Sequence, residues 1–194
     1  HTALRRQRQM CIRDSYNAEV AALAQAGGDI LIVAGYLDQG GKGIIQASLD
    51  TGAFDMFFMP DGMIGDALPA AIGPDLDGSI GTVPGTDSPG AAKFSDMAKA
   101  AGFAAGPFAP ESYDAAALIL LAMQSAKSSD SQVFKSHMMK VANAPGEKIY
   151  PGELAKGLKY LRQGLSIDYV GASAVELVGA GESAGNYAEI EVQG

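Results

Sequence analysis

The sequence predicts an α/β fold, and three observations predict it. Apolar runs of strand length alternate with amphipathic segments of helix length. Glycine or proline punctuates nearly every junction. The run Asp29–Gly35 is apolar without alternation, the pattern of a strand buried on both faces in a parallel sheet.

The elements follow in order from Tyr16. Val20, Leu23 and Ala24 put an apolar stripe on a first helix, which stops at Gly27-Gly28. The strand at 29–35 leads through a Gly-rich turn to a helix over Gly43–Leu49, ending near Thr51-Gly52. A short strand at Met56–Met59 closes on Pro60-Asp61-Gly62, a third strand is expected at Asp77–Val83, and Pro84–Pro89 has the composition of a linker. Pro89–Ala101 reads as a helix with Ser88 as its cap and Pro89 in its first turn. Ser112–Ala126 is apolar nearly all round and is expected to be a deeply buried helix. Helices are also expected at Ser131–Ala142 and at Gly152–Leu161, the latter with Leu154, Leu158 and Leu161 on one face. From Ile167 the pattern turns to short β segments, and Tyr187–Val192 alternates as a strand does.

Composition narrows the function classes. At 47% hydrophobic and 19% charged residues the chain is of globular type. Its longest apolar run, Ala115–Met123, falls well short of the roughly 20 residues a membrane helix needs. A net charge of −8 argues against a nucleic-acid partner, which requires clustered Lys and Arg. One cysteine, Cys11, and two histidines, His1 and His137, can form neither a Cys/His zinc site nor an internal disulfide. Cysteine poverty does not locate the protein.

The opening fifteen residues differ from the rest. They hold four arginines and one acid, whereas the remainder carries a net charge of −11 and no arginine before Arg162. Met10-Cys-Ile-Arg-Asp-Ser15 resembles translated adapter read-through at the edge of a metagenomic assembly. Residues 1–15 are therefore read as a non-native, artefactual segment, without the apolar core and cleavage site of a signal peptide. The chain that follows is expected to be a fragment.

Three places invite a functional reading. Gly40-Gly41-Lys42-Gly43 lies between a strand and a helix, where backbone N–H groups cradle phosphates. Lys42 is followed by Gly43 instead of Ser or Thr, which breaks the P-loop pattern, and Gln46 breaks the dinucleotide pattern. Asp61 ends a predicted strand, and ligands of open α/β sheets bind beyond the carboxyl ends of strands. Its carboxylate suits an ammonium group, although Pro-Asp-Gly is also a good turn sequence in its own right. Tyr36 ends the preceding strand at the same edge, either offering its hydroxyl to a ligand or capping the sheet. No catalytic set emerges. His137 sits in a helical stretch beside two methionines, as a surface or packing histidine does, and no second histidine in the body accompanies it.

At these residues the sequence resembles the branched-chain amino acid (Leu/Ile/Val) binding proteins of ABC transporters, from about Tyr16 to the end. The resemblance rests on Ala34-Gly-Tyr36, Asp50-Thr-Gly52, the strand into Pro60-Asp-Gly62, Leu76-Asp-Gly78, Ser112-Tyr-Asp-Ala115 opening a helix, and Tyr169-x-Gly-Ala-Ser173. It implies the type I periplasmic-binding-protein fold, two Rossmann-like lobes joined by a hinge, with the N-terminal portion missing. Residues 16–84 would belong to the second lobe, 85–164 to the first, and 165–194 would return to the second. It implies that Tyr36 contacts the ligand, that Asp61 holds its α-ammonium, and that Phe108 packs its side chain. Asp61 is one methylene shorter than the usual Glu, and Leu177-Val178 stands where many relatives have Phe-Asp.

The function so implied is non-enzymatic. The expected protein captures a branched-chain or other small amino acid, or an amide, between its lobes and presents it to a membrane permease. It would be periplasmic, monomeric when complete, and without metal or cofactor. Two alternatives stand beside it: a cytoplasmic amide- or amino-acid-sensing regulator of the same fold, and a nucleotide-dependent enzyme using the turn at Gly40–Gly43.

Overall fold

A computed structural model describes residues 16–65 and 67–193. The segment 1–15, read above as artefactual, lies outside the described residues. In chain order the first elements are α1 (Asn17–Ala26), β1 (Leu31–Ile32), α2 (Gly41–Thr51), β2 (Phe57–Met59), α3 (Ala67–Ile72) and β3 (Ile80–Pro84). They are followed by α4 (Pro89–Ala100), α5 (Ala109–Ala126), α6 (Ser131–Phe134), α7 (Met138–Ala142), β4 (Glu147–Ile149) and α8 (Leu154–Arg162). The chain ends with β5 (Ile167–Tyr169), β6 (Leu177–Val178), β7 (Glu182–Ser183) and β8 (Tyr187–Glu191). The described residues form two compact units, 16–83 with 189–193, and Pro84–Ala188.

The first unit is built on a four-stranded sheet of order β1-β2-β3-β8. β1 and β2 are parallel, with Leu31 opposite Phe57, and so are β2 and β3, with Phe58 opposite Ile80. Val192 joins the backbone of the third strand's approach, its N–H donating to Ser79 O at 2.8 Å and its carbonyl accepting from Gly78 N–H at 3.0 Å. Side chains on one face of the strands form the core: Leu31, Val33, Phe57 and Met59 pack with Ile45 of α2, Met63, Leu68 and Leu76. Phe57, Met59 and Ile45 are fully buried, and each such side chain contributes about 1.5–3 kcal/mol relative to exposure.

Here the sequence expectation needs correcting. Regular strand pairing covers only Leu31–Ile32, and the run is not buried on both faces. Leu31 and Val33 are buried while Ile30 is exposed and Ile32 is 65% exposed. One face of this strand meets the core, so the strand alternates by burial though not by residue type.

The second unit is helical around two small sheets. β4 and β5 pair in parallel, with Ile149 opposite Tyr169, and β6 and β7 pair antiparallel. Its core joins Leu118, Leu121 and Ala122 of α5 to Val141 and Ala142 of α7 and to Ile149, Ile167 and Tyr169. The cap expected on α4 is present, Ser88 Oγ accepting from Ala91 N–H at 3.1 Å. Two expectations change. Helix α5 is buried on one side only, since Ile119 and Leu120 are exposed. The stretch 131–142 is not one helix: a 3-10 turn at Lys135–His137 separates α6 from α7. Within it His137 Nδ1 shares a 2.8 Å hydrogen bond with Ser125 Oγ. The strand at 167–169 stays in this unit because it pairs with β4, and the chain returns to the first unit at Glu189 rather than near 165.

Candidate functional site

Parallel strands end at one edge of a sheet, so the segments following β1 and β2 emerge together. Tyr36 lies four residues beyond β1 and Asp61 two beyond β2. Tyr36 has extended backbone and stands just before a 3-10 turn at Leu37–Gln39; its carbonyl accepts from Gln39 N–H and Gly41 N–H, both at 3.1 Å. Its side chain is 64% exposed. Asp61 opens a second 3-10 turn, Asp61–Met63. Asp61 Oδ1 accepts from Gly62 N–H at 2.9 Å, which fixes the carboxylate against its own turn.

Gly62 lets the turn that carries Asp61 approach Tyr36 closely. A Cβ at Gly62 would collide with Gly35 O and lie 3.1 Å from Tyr36 Cδ1, so the turn carrying Asp61 sits against the Tyr36 ring. The structure thus brings together Tyr36 and the Asp61 turn, the two residues that the sequence placed at one edge. A tyrosine ring packed against the turn that carries a half-exposed carboxylate offers a ligand one anionic acceptor and one neutral donor or acceptor.

Phe108 belongs to the second unit. It is the residue immediately before α5 and is 46% exposed. An exposed aromatic at a helix start is free to pack against an apolar group.

The glycines at 40–43 are accounted for by packing within the first unit. The Tyr16 side chain covers Gly40 and Gly43, and a Cβ at Gly41 would strike Met63. Gly40 also adopts a φ of 114°, which side-chain-bearing residues rarely take. Side chains therefore fill the space over these glycines.

Sequence reasoning did not single out Asp114, the most heavily bonded carboxylate among the described residues. It is 2% exposed. Oδ1 accepts from Tyr169 Oη and Ala172 N–H, both at 2.8 Å, and Oδ2 accepts from Ser173 N–H at 2.7 Å and Ser173 Oγ at 2.6 Å. Burial and the facing Asp114 carboxylate push the Tyr169 phenol far above its ordinary range. With its acceptor positions filled by protein donors, Asp114 ties α5 to the segment after β5 and has no capacity left for a ligand. The signal was available: Asp114 is the one carboxylate in the apolar stretch 112–126, and a carboxylate buried on such a helix must be paired.

Among the described residues there is no group of three or more His, Cys, Asp or Glu that could hold a metal ion. None of the described helices is long and apolar enough to cross a membrane.

No protein-family model matches the chain, and no curated protein sequence does. Solved structures do. A leucine-binding protein, LivK, from Thermotoga maritima superposes with a TM-score of 0.68 at 17% identity, over 93% of this chain and 46% of its own. A type 1 periplasmic binding protein from Bordetella pertussis Tohama I superposes with a TM-score of 0.57 at 16% identity, over 89% of this chain and 50% of its own. The chain spans about half the length of the structures it matches. It has the mixed α/β, parallel-sheet fold of roughly half a type I periplasmic binding protein.

Proposed function

We propose that this chain is part of a solute-binding component of an ABC importer, one that captures a branched-chain or other small amino acid, or an amide, between two lobes. The observation that carries the reading is the pairing of Tyr36 with the Asp61 turn at the carboxyl edge of a parallel sheet. In this reading Asp61 accepts from the ligand's α-ammonium, Tyr36 lies along the ligand, and Phe108 packs against its side chain. The ligand's carboxylate is held by groups outside these 194 residues. Lobe closure then presents the ligand to a membrane permease, in the manner of hinge closure around a ligand. The setting is the periplasm. The fold of the two solved binding proteins supports this, as does a site built for a zwitterion's positive end.

The test is a calorimetric screen of the complete gene product, obtained by sequencing upstream of the codon for Tyr16, against the standard amino acids and their amides. Saturable binding of a small zwitterion is expected, weakened about 10- to 100-fold by Asp61→Asn, as suits a lost charge-assisted bond of about 1.5–3 kcal/mol. No binding by the complete protein, or binding indifferent to Asp61→Asn and Tyr36→Ala, would overturn the reading.

A further inference from the structure

The second unit carries a cleft of about 350 Å³ that plays no part in the reading above. Glu111 in the first turn of α5 forms part of its wall, together with Pro84, Ser173, Val175, Asn186 and Tyr187. Glu111 Oε2 is buried and has no hydrogen-bond partner among the described residues. A buried carboxylate oxygen left unpaired is costly, and such an atom calls for a partner not yet in place.

The polar groups around it show what kind of partner that is. Ser173 Oγ donates its hydrogen bond to Asp114 Oδ2 and keeps only accepting capacity. The Asn186 amide has turned its NH2 to Ser173 O, at 3.2 Å, which leaves its oxygen available. Among the described residues, no lysine, arginine or histidine lines the cleft. The wall therefore presents the Ser173 and Asn186 oxygens near one carboxylate, with the Ser183 and Tyr187 hydroxyls able to donate or accept, and the complementary ligand carries positive charge and several donors. A primary ammonium has three N–H donors and one charge. Val175 and Pro84 provide an apolar side for a short carbon chain.

We propose that this cleft is a binding site for a small primary amine, with Glu111 as charge partner and the Ser173 and Asn186 oxygens as further acceptors. Pro84 and Tyr187 stand beside the two points where the chain passes between the units, Val83–Pro84 and Ala188–Glu189. The site is independent of Asp61, which belongs to the other unit.

Ethanolamine hydrochloride is the probe, titrated into the full chain against sodium chloride of equal ionic strength, with thermal unfolding and calorimetry as readouts. Saturable stabilisation by ethanolamine is expected, at least ten-fold weaker in Glu111→Gln, several-fold weaker in Asn186→Ala, and retained in Asp61→Asn. Glu111→Gln removes an unpaired charge, so its melting temperature without amine should equal or exceed the parent's. Tetramethylammonium chloride has the charge without the N–H donors and should act as sodium chloride does. A response to ethanolamine equal to that of salt overturns the proposal. So does undiminished binding in folded Glu111→Gln, or, if that variant does not fold, in Asn186→Ala. Equal stabilisation by tetramethylammonium also overturns it. Loss of the response in Asp61→Asn would instead assign it to the first unit.

Discussion

Tyr169 Oη donates a 2.8 Å hydrogen bond to Asp114 Oδ1, linking a strand to a helix 55 residues earlier. The same carboxylate holds the backbone N–H groups of Ala172 and Ser173, so one side chain fixes the turn leaving β5. Removing it leaves a buried phenol and two backbone donors without partners. Asp114→Ala should therefore destabilise the chain by about 3 kcal/mol or more. Asp114→Asn should cost less, because its amide oxygen can still serve the Oδ1 donors while its NH2 confronts the donors at Ser173. Urea denaturation of both variants checks the order. A cost below about 0.5 kcal/mol for Asp114→Ala, within the range of surface changes, would deny the carboxylate its structural role.

Tyr169 adds a pH dependence of known sign. Its folded-state pKa is raised, chiefly by burial and then by Asp114, above the ordinary value of about 10 for an unfolded tyrosine. The folded state therefore keeps a proton that the unfolded state releases. The stabilisation is complete below about pH 10 and declines as pH rises above it. Tyr169→Phe should lower stability at pH 7 through the lost charge-assisted bond, by about 1.5–3 kcal/mol, and flatten the decline above pH 10. Unfolding free energies measured at pH 7, 9 and 11 for both proteins test this. Parallel curves for the two would show that Tyr169 does not titrate differently on folding.

The residues that were legible in the sequence were those whose signal is local. Gly27 and Gly52 stop α1 and α2 where expected, and Ser88 caps α4, because capping depends on a few adjacent residues. Tyr36 and Asp61 could be placed at one edge because a parallel sheet fixes where strands end. The two faces of β1 could not be told apart, since Ile32 and Val33 are equally apolar and only packing decides that one is exposed and the other buried. The Asp114–Tyr169 bond was hidden for the same reason. Both motifs were visible, but no periodicity joins residues 55 positions apart. Glu111 gave no sign at all, because an unpaired oxygen is a property of surroundings rather than of residue type.

Gly62 couples backbone packing to the candidate site. Gly62→Ala would set its methyl against Gly35 O and the Tyr36 ring, at 3.1 and 3.3 Å from two ring carbons. Overpacking of this kind costs about 1–3 kcal/mol unless the ring moves aside. The exposed Tyr36 ring can move whereas the Gly35 carbonyl cannot, so both a stability loss and a displaced tyrosine are expected. A lower melting temperature together with changed Tyr36 ring resonances checks it. The companion variant Gly65→Ala has no atom near its Cβ and should change neither.

Charge is distributed unevenly between the two units. From residue 16 on, the first unit holds eleven acidic side chains and a single basic one, Lys42. The ion pairs found among the described residues, Lys93–Glu153, Lys156–Glu147 and Lys156–Glu153, all lie in the second unit. Like charges confined to one small unit repel, and the repulsion destabilises the compact state until salt screens it. The Debye length shortens from about 30 Å at 0.01 M to about 10 Å at 0.1 M salt. Stability should therefore rise with sodium chloride over that range. Neutralising Asp29 and Asp55, both exposed, as the double variant Asp29→Asn and Asp55→Asn, should raise the low-salt stability and reduce the slope. Melting temperatures at four salt concentrations measure both effects. A slope unchanged by the double variant would mean that the salt response arises from general surface exclusion instead of repulsion among these carboxylates.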